Sequence, residues 1–410
     1  MDHFEKLLDN YAAIAVTIGL NVQRGQDVMI FAPVEAPDFT RKAVRKAYEA
    51  GAENVYVEWS DEAVTRTMFD LAPDQAFEKY PEWRADTYRE LADSNAAFLY
   101  IYSPNPELLK GIDPERVALS RKTASAANKK FTDAKISATV SWTIVSVPTE
   151  AWSAKIFPDL GRKERIEALW KQIFTITRTD RDNPEQAWKE HIQALADKLD
   201  YFNEKRFRKL YYKAPGTDLT IELPSGHLWA GGGMTNGRGT PFQPNIPTEE
   251  IFTMPLKTGV NGTVASTKPL NNDGNLIDHF SLKFRNGRIV DSAAERGGEA
   301  LRKIIETDEG SHYLGEVSLV PHHSPISETN LIFYNTLFDE NASCHLAIGA
   351  SFPFNYRGGR QMSKEALAEA GANASLAHVD FMIGSDQLDI DGETADGRRI
   401  PIFRKGNWTI

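Results

Sequence analysis

The chain has 410 residues, and this length predicts two domains. Hydrophobic residues make up 41% and charged residues 25%, as in folded proteins, and the net charge of -10 argues against a general nucleic-acid-binding protein. The single cysteine, Cys344, excludes an intrachain disulfide framework. Because the sequence has neither an apolar run of membrane-spanning length nor a signal-peptide core, we expect a cytoplasmic protein without membrane or nucleic-acid partners.

The first 200 residues alternate short apolar runs with helical patterns. Strands separated by helices are typical of a mostly parallel sheet covered on both faces. We therefore predict a three-layer α/β domain over residues 1–208. The expected strands are 27–32, 54–59, 96–102 and 138–147, and the expected helices are 40–50, with Asp38 as its N-cap, and 184–201.

Turn signals become frequent beyond residue 205, and short alternating strands flank them. Asn-Gly and Asp-Gly pairs suit tight hairpins because both central residues must reach positive φ. This pattern predicts an antiparallel-rich α+β domain over residues 209–410. The turn-forming pairs are Asn261-Gly262, Asn286-Gly287, Asp391-Gly392 and Asp396-Gly397.

Three segments of this second half place polar side chains on one face of a predicted strand. His378 and Asp380 alternate with apolar residues, so the two-residue period of a strand sets them side by side. His345 and Glu316 hold similar positions in segments 344–349 and 315–320. Imidazole and carboxylate groups together can bind a divalent metal ion. The alternative is a set of surface strands with exposed polar residues.

Other features are less specific. The sequence lacks H-E-x-x-H, G-x-S-x-G, a Walker loop and paired C-x-x-C motifs. The glycine-rich segment 231–239 does not fit G-x-G-x-x-G and indicates a flexible loop. Glu249 and Glu250 precede an apolar run, but alternation does not decide which of them contributes to a site.

Five longer segments resemble the thermophilic-aminopeptidase family, also called aminopeptidase S or T. The similarity extends over essentially the whole chain. The resemblance implies a zinc- or cobalt-dependent exopeptidase that acts on peptides with a free N-terminus, a site of two divalent ions and a homodimer. Oxygen and imidazole ligands also leave manganese or magnesium open. The segments are residues 244–255, 260–270, 315–321, 335–349 and 378–385.

Matching the family's motifs to this sequence implies a set of metal ligands. Five mixed His and carboxylate ligands suit two ions better than one. Glu316 is the first candidate for a bridging ligand or for the carboxylate that moves a proton in catalysis, and Glu340 is the second candidate for the catalytic role. The choice of Glu250 over Glu249 rests on the family alone. The implied ligands are Glu250, Glu316, His345, His378 and Asp380.

One position departs from the family pattern. A tyrosine is expected seven residues after His345, where this chain has Phe352, and phenylalanine cannot donate a hydrogen bond to an oxyanion. Tyr356 is a nearby candidate for that donor. Two alternatives therefore stand beside the aminopeptidase: another two-metal hydrolase, such as an amidase or carboxypeptidase, and a catalytically impaired homologue.

Overall fold

The computed structural model describes residues 3–103, 105, 107–272 and 275–410. The chain forms two compact units. Unit 1 extends to Glu190 and includes Gly233–Pro247, whereas unit 2 comprises His191–Gly232 and Thr248–Ile410. The domain boundary predicted between residues 208 and 209 stays a prediction. Across the described residues, no helix combines the length and apolar character that a bilayer crossing requires.

Helices and strands are numbered along the chain. The helices are α1 His3–Ile14, α2 Pro37–Glu49, α3 Glu62–Leu71, α4 Glu82–Asp93, α5 Pro114–Ala127, α6 Lys129–Ile136, α7 Glu150–Ile156, α8 Arg162–Ile176, α9 Pro184–Lys205, α10 Gly298–Ile305, α11 Thr336–Asp339 and α12 Lys364–Glu369. The strands are β1 Val28–Pro33, β2 Val55–Ser60, β3 Ala97–Tyr102, β4 Trp142–Ser146, β5 Lys209–Ala214, β6 Thr217–Glu222, β7 Ala230–Gly231, β8 Met234–Thr235, β9 Pro241–Phe242, β10 Ile251–Thr253, β11 Val260–Ala265, β12 Leu270–Asn272, β13 Asn275–Arg285, β14 Arg288–Arg296, β15 Leu314–Leu319, β16 His345–Gly349, β17 His378–Met382, β18 Asp389–Glu393, β19 Arg399–Arg404 and β20 Asn407–Trp408.

Unit 1 contains a parallel four-stranded sheet in the order β2-β1-β3-β4. Met29 of β1 and Phe98 of β3 pack in one apolar cluster with Tyr88 of α4 and Phe131 of α6. The predicted strands are all found, which confirms the α/β pattern of the N-terminal part. The predicted N-cap is wrong: α2 begins at Pro37, because a residue without an N–H fits the first helical position, and Asp38 lies inside the first turn.

Unit 2 contains two sheets, and the antiparallel-rich character expected of this part is confirmed. The larger sheet runs β12-β13-β11-β6-β5-β18-β19-β20, with β14 added beside β13. The smaller sheet runs β17-β16-β15-β10-β7, and its pairs are antiparallel. The glycine-rich segment predicted as a loop contributes residues to β7 and β8, so that interpretation is wrong in part.

The predicted turns divide into two kinds. Asn286-Gly287 joins β13 to β14 with φ of 50° and 80°, as a tight hairpin requires. Asn261-Gly262 lies inside β11 and Asp391-Gly392 inside β18, so these two turn predictions are wrong. A Cβ on Gly262 would lie 2.1 Å from the Asp218 carbonyl oxygen of β6, so glycine there permits close strand approach.

One face of the five-stranded sheet packs into the apolar core of unit 2. Val317 of β15, Leu346 of β16 and Phe381 of β17 belong to the same buried cluster as Ile221 and Leu282 of the larger sheet. Because side chains alternate along a strand, the residues between these apolar positions project from the opposite face. That opposite face carries the candidate site.

Candidate metal centre

The structure brings the five predicted ligands together on the polar face of the five-stranded sheet. Ala347 of β16 pairs with Glu316 of β15 on one side and with Asp380 of β17 on the other. His345 comes two residues before Ala347 and therefore shares its face. The small alanine side chain leaves space between the two carboxylates. His378, two residues before Asp380, lies opposite Gly349.

The ligand atoms form two triplets that share Glu316. In the first, His345 Nε2 lies 3.2 Å from Glu250 Oε2 and 3.5 Å from Glu316 Oε1. In the second, His378 Nε2 lies 3.4 Å from Glu316 Oε2 and 3.5 Å from Asp380 Oδ1. Each triplet offers three ligand atoms within 4.8 Å of one another. The two oxygens of Glu316 thus face different histidines.

The cluster is buried, so the interpretation as exposed surface strands is wrong. Glu250, Glu316 and His345 are 8%, 5% and 1% exposed. His378 and Asp380 are partly accessible, with 26% and 12% of their side chains exposed. Buried carboxylates are costly unless they are paired or bind a cation. This arrangement therefore suits a bound positive charge.

The two adjacent glutamates point to different partners. Glu250 Oε2 accepts a 2.6 Å hydrogen bond from Ser318 Oγ and lies in the cluster. Glu249 Oε2 instead lies 3.6 Å from His191 Nε2, and the Glu249 backbone N–H donates to Asn341 Oδ1 at 2.7 Å. The structure therefore places Glu250, and not Glu249, in the cluster, and the role of Glu250 as a metal ligand stays a prediction.

Both histidines aim Nε2 at the carboxylates because Nδ1 faces a backbone carbonyl. His345 Nδ1 lies 3.1 Å from Ser343 O, and His378 Nδ1 lies 2.8 Å from Ala350 O. Such a contact fixes the ring orientation and leaves the second nitrogen free to bind a metal ion. A β-bulge precedes Glu316, at Gly315, where a Cβ would lie 2.2 Å from Ala350 O. Glycine at that bulge lets β15 approach the segment that orients His378.

The charges of the cluster shift the pKa values of its own residues. Burial lowers the pKa of His345, but the carboxylates of Glu250 and Glu316 outweigh it and raise the pKa well above its usual value. The same balance, with Asp380 and Glu316, raises the pKa of His378 to about 11. Burial raises the pKa of Asp380, but the neighbouring imidazoles, His378 first, bring it below its usual value. Without an ion, both imidazoles are therefore cationic and act as counter-charges.

The donor set fits a divalent metal ion. Carboxylate oxygens and imidazole nitrogens are ligands for zinc, cobalt and manganese. Asp380 Oδ1 is buried and, within the described part of the chain, accepts no hydrogen bond. Its charge partner is the His378 imidazole, with Nε2 3.5 Å away, and a bound cation would give this oxygen a direct ligand contact. The assignment of the five residues as metal ligands stays a prediction.

A sixth ionisable group, Glu340, lies beside the cluster in a short 3₁₀ helix, Glu340–Ala342. Burial and then the negative charges of Asp380 and Glu250 raise the pKa of Glu340 well above its usual value. Asn341 Nδ2 approaches Glu340 Oε1 at 3.4 Å. Glu340 is therefore placed to hold a proton next to the ligand atoms.

Phe352 lies where the family pattern expects a tyrosine, and its ring centroid is 4.8 Å from that of His378. The position thus borders the cluster but offers no hydroxyl group. The ring of Tyr356 packs over Gly226, where a Cβ would come within 2.4 Å of its Cζ atom. Tyr356 as a replacement donor stays a prediction.

Two supporting residues have roles that the sequence did not predict. Ser318 shares the polar face of β15 with Glu316, and only this alternation could have indicated its hydrogen bond to Glu250. Asn341 is fully buried and links the Glu249 backbone to Glu340. No local pattern signals Asn341, because its two partners are brought together by long-range folding.

The chain is similar over its whole length to known aminopeptidases. The chain is 53% identical over 410 residues to aminopeptidase 2 of Geobacillus stearothermophilus, covering 100% of this chain and 99% of the relative. It is 53% identical to aminopeptidase AmpS of Bacillus subtilis, with 100% of both chains covered.

A solved structure, wild-type AmpT from Thermus thermophilus, superposes with a TM-score of 0.94 at 39% identity, covering 99% of this chain and 100% of that one. The family model described as thermophilic metalloprotease (M29) matches residues 4–408. The predicted family resemblance and the mixed α/β fold class are confirmed. This chain belongs to the thermophilic metalloprotease family M29.

Proposed function

We propose that this protein removes N-terminal residues from peptides by hydrolysis at a site that would hold two divalent metal ions. The observation that carries the proposal is the pair of ligand triplets that share Glu316. The enzyme class itself follows from the family and from the names of the relatives: the chain is a metallo-aminopeptidase, a hydrolase.

Glu250 and His345 would hold one ion, His378 and Asp380 the other, and Glu316 would bridge them. The opposed oxygens of Glu316, 3.5 Å from His345 Nε2 and 3.4 Å from His378 Nε2, support the bridging role. When bound, such ions polarise a carbonyl group and make water a nucleophile near neutral pH.

Glu340 is our candidate for the general acid and base. It lies next to the ligands and holds a proton in the absence of an ion, because burial and nearby negative charges raise its pKa. Nearby positive charge would return its carboxylate form. The carboxylate then takes a proton from the attacking water, and the acid returns it to the leaving amine. Glu316, the other candidate from sequence, has both oxygens directed at histidines, so we assign the proton transfer to Glu340.

The finer properties implied by the resemblance belong to the same proposal. We infer zinc or cobalt as the ions, with manganese and magnesium as weaker fits, because two of the five ligands are imidazoles. We also infer a cytoplasmic homodimer acting on peptides with free N-termini. Metal analysis, sedimentation equilibrium and cell fractionation test these inferences one by one.

The test of the activity compares a free-amine peptide with the same peptide acetylated at its N-terminus, using protein loaded with zinc or cobalt. We expect release of the first residue from the free peptide, at least a hundredfold slower cleavage of the acetylated one, and loss of both rates on chelation. Equal cleavage of the two peptides would favour the alternative of another two-metal hydrolase.

The alternative of an impaired homologue is favoured by one observation, the contact of Phe352 with His378. It predicts no chelator-sensitive hydrolysis by wild type after metal loading, and recovery in Phe352→Tyr. The aminopeptidase proposal predicts hydrolysis by wild type, with Phe352→Tyr raising kcat by about tenfold to a hundredfold if a donated hydrogen bond stabilises the oxyanion.

A further inference from the structure

Three phenylalanines form a half-buried aromatic cluster in unit 2, and we call Phe252, Phe352 and Phe354 the aromatic wall. Phe352 and Phe354 stack with centroids 5.2 Å apart and an interplanar angle of 13°. Phe252 meets both rings edge-on, at 6.2 Å and 6.0 Å. All three retain solvent exposure. Exposed aromatic surface beside convergent polar groups is typical of a ligand pocket.

The aromatic wall borders the metal centre at two points. Phe352 contacts the ring of His378, with centroids 4.8 Å apart. Phe252 follows Glu250 by two residues and pairs across the sheet with Ser318, the residue that donates a hydrogen bond to Glu250. The wall therefore lies along the cluster from the Glu250 end to the His378 end.

The aromatic wall is held in place by a buried amide. Asn355 is 1% exposed and follows Phe354 directly. Its Nδ2 atom donates to the carbonyl oxygens of Phe252 and Leu228, each at 3.2 Å. This bridge fixes the loop that carries Phe352 and Phe354 against β10. A wall fixed in this way can discriminate between ligand shapes without paying for its own ordering.

We propose that the aromatic wall is the pocket for the side chain of the substrate's first residue and that it selects large, neutral, apolar side chains. The inference rests on the proposed function. The scissile carbonyl must lie at the ligand atoms, and the first residue's side chain branches from the carbon next to that carbonyl. It must therefore contact a surface that borders the cluster, and apolar side chains gain free energy there by covering the rings.

The aromatic wall also sets a charge criterion. The guanidinium carbon of Arg360 lies 5.6 Å from the centroid of Phe354, so this side chain covers the edge of the wall. A lysine or arginine side chain of the substrate would lose the hydration of its charge against the three rings. We therefore expect leucine and phenylalanine to be the preferred first residues. Glycine lacks a side chain to contact the rings, and lysine carries a charge.

The first test measures kcat/KM of the metal-loaded full chain for leucyl, phenylalanyl, glycyl and lysyl p-nitroanilides. Wild type is expected to favour leucine over glycine and lysine at least tenfold. Phe354→Ala should lower the leucine-to-glycine ratio at least tenfold, and Phe354→Leu should restore most of it. Phe4→Ala is the matched control, because Phe4 is 36% exposed and packs on Trp170 in unit 1. That control should keep the wild-type ratio.

The second test measures binding of free L-leucine and glycine to the same proteins by calorimetry, which needs no turnover. Wild type that binds leucine more tightly than glycine, with this preference lost in Phe354→Ala, supports the proposed role of the aromatic wall. Equal binding of leucine and glycine by wild type overturns the proposed selectivity, and this result does not depend on whether the variants fold. Equal cleavage of free and acetylated peptides would refute the proposed activity, while the binding preference would still decide the role of the aromatic wall.

Discussion

The parallel sheet of unit 1 and the five-stranded sheet of unit 2 use burial differently. The central strands β1 and β3 are apolar and mostly buried. Strands β15 and β16 are buried along their whole length, yet one of their faces carries Glu316, Ser318 and His345. Stability alone would favour apolar residues at such positions, because desolvating charge is costly. Polar groups buried in a sheet therefore indicate a ligand more strongly than exposed ones do.

The largest effect is expected when a carboxylate beside the polar face is neutralised without a change of its shape. Glu340→Gln should lower kcat by about 10²- to 10⁴-fold, because the glutamine amide cannot move a proton. Metal content should stay at the wild-type value, since Glu340 is not among the assigned ligands. Steady-state kinetics and metal analysis on one preparation measure both. Wild-type kcat would contradict the catalytic role of Glu340.

The next largest effect tests the space at the centre of the polar face. Ala347→Val places two extra methyl groups between Glu316 and Asp380, whose backbone positions flank Ala347. Overpacking costs about 1–3 kcal/mol, so if the strain falls on the bound state, metal affinity drops roughly tenfold to a hundredfold. Calorimetric metal titration measures the change.

Ala97→Val is the matched control for that substitution. Ala97 is fully buried in β3 of the parallel sheet, where added methyl groups affect packing only. We expect a lower free energy of unfolding by about 1–3 kcal/mol and unchanged metal affinity. A loss of affinity in Ala97→Val as large as in Ala347→Val would remove the distinction between the two sheets.

A further effect concerns the protons that metal binding releases. In the ion-free protein the pKa of His378 is about 11 and the pKa of His345 is also raised, so both imidazoles are protonated at pH 7. A metal ion must displace these protons, and its affinity should rise about tenfold per pH unit for each proton released. Calorimetry in buffers of different ionisation enthalpy counts the protons. Metal binding at pH 7 without proton release would contradict these shifts.

The same raised pKa has a consequence for the ion-free fold. An imidazole whose folded pKa lies above its unfolded value stabilises the fold fully below the unfolded pKa, near 6.5. That contribution is lost as pH rises through the folded value, which is about 11 for His378. The ion-free protein should therefore lose stability between roughly pH 7 and 11. His378→Gln should show a smaller loss in that range, by thermal denaturation.

Local patterns predicted much of the fold because strand alternation and strand–helix order are local. They failed where one signal serves two purposes. Asn286-Gly287 forms a turn, whereas Asn261-Gly262 lies inside a strand, where Gly262 admits the neighbouring Asp218 carbonyl. Both glycines have positive φ, and each lies close to a backbone carbonyl oxygen, Gly287 to that of Lys257. The dipeptide alone therefore does not tell a turn from a position inside a strand.

Local patterns also predicted only part of the candidate site. Alternation placed Glu316, His345, His378 and Asp380 on polar faces, but it could not show that those faces are buried or that they meet. The assignment of Glu250 needed the family, and the structure gives its physical basis, since Glu249 faces His191 instead. The contacts of Phe252 with Phe352 and Phe354 join segments about a hundred residues apart, which no local pattern encodes.

The most direct test of the two-ion site is anomalous scattering from crystals of the metal-loaded protein, wild type, His345→Ala and Asp380→Ala. We predict two peaks about 3.5–4 Å apart in wild type, with Glu316 between them. His345→Ala should weaken the peak beside Glu250, and Asp380→Ala the peak beside His378. A single peak in wild type, or full occupancy of both sites in both variants, would contradict the assignment of these residues as ligands of two ions.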